Sequence, residues 1–179
     1  MKRPLSSRTV RRLINFWPPL FFAGIRLTRM SEDWRRAEAE LRLRWWNRNA
    51  VGTMFGGSLF AMTDPFYPLM LQHNLGSDYI VWMKSASLEF LSPGRTIARA
   101  RFLLTPESLQ EIRDETASGR KSEPVFRVEI CDPQDKLIAR VRMTLYVCRS
   151  RSTYKPKVES LTTVEEPASR FAAFLEETE

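Results

Sequence analysis

Between residues 36 and 45 the chain alternates. Ala37, Ala39, Leu41, Leu43 and Trp45 hold one phase; Arg36, Glu38, Glu40, Arg42 and Arg44 hold the other. A period of two over this length predicts a strand with one buried face, its arginines on the solvated side. Ser31 reads as a turn and helix start ahead of it, and Trp46 breaks the alternation at a position suited to a pocket or subunit contact. Residues 49–72 follow a different rule. A polar turn with Gly52, Gly56 and Gly57 runs into a long apolar segment holding one carboxylate, Asp64. Leu59 with Met62, Phe60 with Phe66, and Met62 with Phe66 recur at helical spacing. The run is too long for one strand and predicts a core helix. Pro65 lacks a backbone donor and crowds the preceding turn, so the helix should kink or split just after Asp64.

After a turn at residues 75–78, residues 79–91 read as a long strand. Ile80, Trp82, Ala86, Leu88 and Phe90 occupy one phase, with Lys84 as its polar exception. Ser92-Pro93-Gly94-Arg95 turns the chain into a strand at 96–104, with Ala98, Ala100, Phe102 and Leu104 inward. A short helix opens at Pro106 with Leu109 and Ile112 as anchors, and 116–122 reads as an exposed loop. Strands follow at 125–131, with Phe126, Val128 and Ile130 inward, and at 137–147, with Ala139, Val141, Met143, Leu145 and Val147 in one phase. An antiparallel sheet curled around one apolar helix accounts for this order, an α+β arrangement with hairpin turns after the second and third of the later strands. Its uncovered strand faces and edges predict at least a homodimer.

Composition changes this picture in three places. The chain has 179 residues, enough for one domain with extensions. The expected division is an arm over 1–30, a core domain over 31–150 and an extension over 151–179, in which Phe171, Phe174 and Leu175 predict a short docking helix. The net charge of +7 resides in residues 1–36; the rest is neutral. A localised arm of this kind is not the field of a nucleic-acid-binding domain, and no nucleic-acid partner is expected. Its apolar residues, Leu13 to Ile25, are interrupted by Pro18 and Pro19 and cannot form a membrane span. The arm packs over the domain or its partner subunit, or makes a peripheral contact with an anionic membrane. It lacks the core and cleavage site of a secretory signal, so a cytoplasmic location is expected. Cys131 and Cys148 are too few for a disulfide framework and read as buried or half-buried thiols. His73 is the sole histidine, at the end of the central helix, where it reads as a surface or cap residue; no metal site is expected.

The candidate chemistry lies in the central segment. Asp64 is either a capping residue at the helix break or a carboxylate that orients or activates water in an apolar wall. Gly56 and Gly57 are either a plain turn or a place where unpaired N–H groups meet a thioester or carboxylate oxygen. The segment N49-A-V-G-T-M-F-G-G-S-L-F-A-M-T-D64 resembles the start of the central helix in hotdog-fold acyl-CoA thioesterases, especially the phenylacetic-acid-pathway type. F16-W17-P18-P19, G24-I25-R26, D64-P65-F66 and V81-W82-M83-K84-S85-A86-S87 resemble a bacterial branch of that superfamily, and the likeness spans most of residues 13–148. It implies a hotdog fold and two equivalent channels between paired subunits, as a dimer or a dimer of dimers. It implies that Asn49 shapes the site, that the Gly56 N–H, beside that of Gly57, meets the thioester carbonyl, and that Asp64 is nucleophile or general base. Relatives carry histidine immediately before the glycine pair; here that position is Phe55.

On this reading an acyl chain carried by coenzyme A or a carrier protein lies against Phe55, Phe60 and Trp82. No cofactor is needed beyond the coenzyme A of the substrate. Lys84 reaches an acidic group such as Asp64, or a coenzyme A phosphate, or is a plain edge lysine. Arg95, Lys121 and the N-terminal arginines are the further cations available for the coenzyme A head. The alternatives are a noncatalytic acyl- or lipid-binding hotdog protein, and a dehydratase, which would usually need a histidine that Phe55 does not supply.

Overall fold

The structure is a computed structural model and describes residues 6–150. The proposed helix around Phe171 and Phe174 lies outside them. Seven antiparallel strands form one sheet: β1 (Ile25–Met30), β2 (Arg36–Arg42), β3 (Tyr79–Phe90), β4 (Ile97–Leu103), β5 (Lys121–Ser122), β6 (Val125–Cys131) and β7 (Leu137–Arg149). Their spatial order is β1-β2-β4-β6-β7-β3, with β5 also on β7. Helices α1 (Ser7–Phe16) and α2 (Pro18–Ala23) precede the sheet; α3 (Gly56–Ala61), α4 (Phe66–Leu75) and α5 (Pro106–Ala117) follow β2 and β4.

The apolar phases found in sequence face one way. Ala39, Leu41, Ala98, Ala100, Ile130, Val141, Met143 and Leu145 are all fully buried beneath the central helices. Leu59, Met62, Phe66, Met70 and Leu71 supply the helical side of this core. Phe66 packs on Phe102 at 4.9 Å between ring centroids, and Tyr67 stacks on Phe126 at 4.1 Å. The small Ala39–Ala100 pair of β2 and β4 leaves room for these rings. The central segment divides where the proline chemistry requires. Residues 62–65 form turns, and Pro65 takes the cap position of α4.

Four local readings are corrected. Residues 25–30, grouped in sequence with the arm, form β1; Ile25 and Leu27 point into the core, but a register shift between Leu27 and Arg29 cuts the alternation short. Ser31 opens the β1–β2 turn and no helix follows. β2 ends at Arg42, leaving Trp45 on the surface. The loop expected at 116–122 is the end of α5 and the short strand β5; Thr116 is fully buried and donates its hydroxyl to the Ile112 carbonyl at 2.6 Å. The turn at Ser92–Arg95 also joins strands that are not neighbours, since β6 and β7 lie between β3 and β4, whereas β6 and β7 pair as a hairpin.

The two edges of the sheet differ. Along β1, the Asn15 side chain accepts from the Leu27 N–H at 2.7 Å and donates to its carbonyl at 3.2 Å, while Arg11 donates to the Thr28 carbonyl. Helix α1 therefore occupies that edge as a further strand would. Along β3, one side is bonded to β7 and no described strand covers the other.

A sharp joint connects α2 to β1. Gly24 has φ +81°, and a Cβ there would lie 2.5 Å from Asn47 Nδ2. That amide donates to the carbonyls of Ala23 and Arg42, and its oxygen accepts from the Arg44 N–H. Gly24→Ala should therefore lower stability by about 1–3 kcal/mol, through left-handed strain and the displaced amide. The midpoint of urea unfolding measures this.

Candidate active site

The site begins with a loop that folds on its own side chains. Asn49 Oδ1 accepts from the N–H groups of Val51 (3.2 Å) and Thr53 (3.0 Å), and its Nδ2 donates to Thr53 Oγ1 (2.9 Å). Asn49 thus shapes the turn before the glycine pair. The loop is pinned at its end: Met54 N–H donates to the Gly94 carbonyl, and Phe55 N–H to the Asn47 carbonyl. Phe55 is then the extended cap residue from which α3 starts.

Ser58 and Leu59 N–H groups both donate to the Phe55 carbonyl. The N–H groups of Gly56 and Gly57 precede that first bond, so helix geometry leaves them without a carbonyl. Both glycines are roofed by rings. A Cβ on Gly56 would lie 2.6 Å from Phe90 Cζ, and one on Gly57 would collide with the Phe55 ring. Phe90 ends β3 and is exposed, as is Phe55. The glycines therefore admit two aromatic side chains against the backbone. Phe90 was legible in sequence only as a strand residue, because nothing local places it over a segment more than thirty positions earlier.

Asp64 lies in the turn between α3 and α4. It does not cap α4, whose cap is Pro65 without a side-chain hydrogen bond. No described group hydrogen-bonds or ion-pairs with it, so the capping reading fails. The residue is exposed, yet burial of part of its surroundings pushes its carboxyl above the usual value of 3.8. Eight residues separate it from Gly56. Gly56 opens α3, whereas Asp64 lies in the turn beyond the end of that helix.

Other expected site residues divide. Phe60 is half-buried on α3, packed against the core. Trp82 is on the outer face, stacked on Tyr146 at 4.7 Å between ring centroids. The single face expected for Ile80, Trp82, Ala86, Leu88 and Phe90 is interrupted by a bulge between Met83 and Ser85. The extra residue, Lys84, flips the phase: Val81 and Met83 before it, and Leu88 after it, pack against the core, while Ala86 shares their face of the sheet but is exposed. Lys84 does not meet Asp64. Its Nζ lies 2.6 Å from Glu123 Oε2, and Lys121 pairs with the other oxygen of Glu123. These two lysines hold the Glu123 carboxyl at about 2. His73 stacks on Trp34 in the last turn of α4, with burial lowering its pKa, and Cys131 and Cys148 are half-buried free thiols. Among the described residues no group of side chains could hold a metal ion, and no helix is long and apolar enough to cross a membrane.

Residues 6–147 match the model of a protein family described as a domain of unknown function (DUF4442). No curated protein matches the chain. Among solved structures the chain is similar to a probable thioesterase from Pseudomonas aeruginosa, itself of unknown function, at a TM-score of 0.72 and 19% identity over 82% of this chain and 97% of that one. A thioesterase from Haemophilus influenzae aligns at a TM-score of 0.61 and 17% identity, over 86% and 98%. The PaaI protein from the phenylacetic acid degradation operon of E. coli aligns at 0.54 and 16%, over 83% and 95%. At these identities the likeness shows the fold, which is the hotdog fold: an antiparallel sheet wrapped around a central helical layer.

Proposed function

The chain belongs to the DUF4442 family, and we propose that this member hydrolyses acyl thioesters, those of coenzyme A or of a carrier protein, at a site completed across a homodimer. The observation that carries the proposal is Asp64: an exposed carboxylate with no hydrogen-bond or ion-pair partner among the described residues, a raised pKa, and a place in the turn beyond the helix that the glycine pair opens. The free edge of β3 offers the route to a second copy. Its Ser85, Ala86 and Ser87 are exposed, small and uncharged, and Lys84 at the bulge is already paired with Glu123. Two such edges joined antiparallel form one continuous sheet and remove the exposed ladder.

In this site the thioester carbonyl accepts from the Gly56 N–H, beside Phe55 and Phe90. Asp64 of the opposing subunit takes a proton from water. The resulting hydroxide adds to the carbonyl carbon, negative charge collects on the oxygen held by Gly56, and collapse expels the thiolate, which takes up a proton. Direct attack by Asp64, giving an anhydride that water then opens, uses the same placement. The fold resembles thioesterase folds, and an enzyme working on coenzyme A thioesters would act in the cytoplasm.

The direct test is thiol release from a panel of short, medium, long and aromatic acyl-CoAs. Turnover of at least one class supports the proposal. Phe55, apolar where relatives have histidine, favours a second reading as an acyl-binding protein. Saturable acyl-CoA binding without thiol release across the panel would establish it.

Arg95 is our candidate cation for the coenzyme A head. It is exposed and follows Gly94, whose carbonyl holds Met54 directly before the Phe55 mouth. Lys121 is instead engaged with Glu123. Arg95→Ala should raise KM for acyl-CoA about three- to tenfold at low salt and leave kcat little changed, as expected for loss of one charge-assisted phosphate contact. KM for an acyl thioester lacking the nucleotide should not move.

A further inference from the structure

Helices α1 and α2 and the turn after β2 carry a surface that the thioester site does not use. Phe16, Phe22 and Trp45 are 76%, 70% and 77% exposed. They belong to one run of rings: Phe16 meets Phe21 at 6.4 Å, Phe21 meets Phe22 at 5.5 Å, and Trp45 meets Trp46 at 5.5 Å. Trp46 Nε1 donates to the Phe22 carbonyl at 3.1 Å and ties the two halves together. Helix α1 buries Ser7 and Ile14 and presents Arg8, Arg12, Leu13 and Phe16 outward.

Charge decides what covers this surface. Residues 6–31 contain five arginines and no acidic residue. Between the rings runs a cleft of about 590 Å³ lined by Arg26, Arg42 and Arg44, with Glu40 as its one carboxylate. Toward the start of α1 lies a second cleft of about 810 Å³, lined by Arg8, Arg11, Arg29, Arg36 and Arg101 against Glu32 and Glu38. A second copy docked face to face would set these arginines against themselves. Nucleic acid would satisfy the arginines but leave protruding phenylalanines without a purpose. An anionic bilayer satisfies both, since rings enter at the headgroup boundary while guanidinium groups remain among the phosphates.

We propose that this face docks the protein on an anionic phospholipid bilayer, with Phe16, Phe22 and Trp45 inserted and Arg8, Arg12, Arg26 and Arg44 on lipid phosphates. The proposal does not rest on the thioesterase reading. The test is co-sedimentation of the full chain with vesicles of phosphatidylcholine, alone or mixed with phosphatidylserine, together with quenching of tryptophan by brominated acyl chains. Binding should be at least about tenfold tighter to the mixed vesicles, weaken with salt and quench tryptophan. A Phe16→Ser/Phe22→Ser/Trp45→Ser variant should keep its circular dichroism and oligomeric state and lose about tenfold or more in vesicle affinity. Arg8→Glu/Arg12→Glu should abolish the preference for phosphatidylserine. No binding to mixed vesicles would overturn the proposal. So would equal binding to both vesicles, or retained binding by the ring variant. A ring variant that changes oligomeric state without losing vesicle binding would assign the face to a second copy, and duplex DNA binding that survives loss of the rings would assign it to nucleic acid.

Discussion

Asp64→Asn yields a folded protein whose thioester hydrolysis falls about 10²- to 10⁴-fold, the range associated with a positioned general base. Asparagine preserves the shape of the turn between α3 and α4 but cannot accept the proton from water. The pH dependence separates loss of a base from loss of structure. Burial raises the Asp64 pKa in the folded protein. The base form therefore accumulates only above the ordinary aspartate range, and kcat/KM should rise with pH through that displaced value. The variant's residual rate should lack this limb. Stability should move the other way. A carboxyl with a raised folded pKa holds its proton more tightly folded than unfolded, so ionisation opposes folding as pH rises past the unfolded value. Asp64→Asn should thus be at least as stable as wild type at neutral pH, with the difference disappearing in acid. A variant that hydrolyses thioesters at the wild-type rate would remove Asp64 from the chemistry.

The same residue shows where sequence and structure part. The break after Asp64 was legible because proline acts on its own turn, and the phases of β2, β6 and β7 were legible because one buried face repeats every second residue. The bulge at Lys84 was not: an extra residue leaves no mark in the composition, yet it puts Trp82 on the face opposite to that of Ala86 and Leu88. Partners distant in sequence were hidden for a related reason. Lys84 meets Glu123 and Phe90 covers Gly56 only because β3 and β7 are paired at the sheet edge. Asn15, which reads as one more polar residue of an arm, seals β1 through two backbone bonds. The glycines and the carboxylate could be named from sequence; that the first open α3 while the second lies in the turn beyond it required the fold.

That separation gives the second large effect. If each site takes Gly56 from one chain and Asp64 from the other, two inactive variants should repair each other. Gly56→Val forces a branched side chain into the Phe90 ring and closes the approach to the N–H, while Asp64→Asn removes the base. Each homodimer has two defective sites. A heterodimer concentrates both lesions in one site and leaves the other intact. Unfolding and refolding an equal mixture gives half heterodimers, each with one working site of two, so activity should return to about a quarter of wild type. A protomer-contained site predicts no recovery, because no chain in the mixture carries both groups. The interface can be checked in the same experiment. Ala86→Pro withdraws a backbone donor from β3 and brings a ring to an edge that should be paired. If the donor faces the second copy, the variant should run as a monomer in analytical ultracentrifugation, and should neither hydrolyse thioesters nor complement either partner. A fully active monomer would place the whole reaction within one chain and leave the β3 edge without a catalytic role.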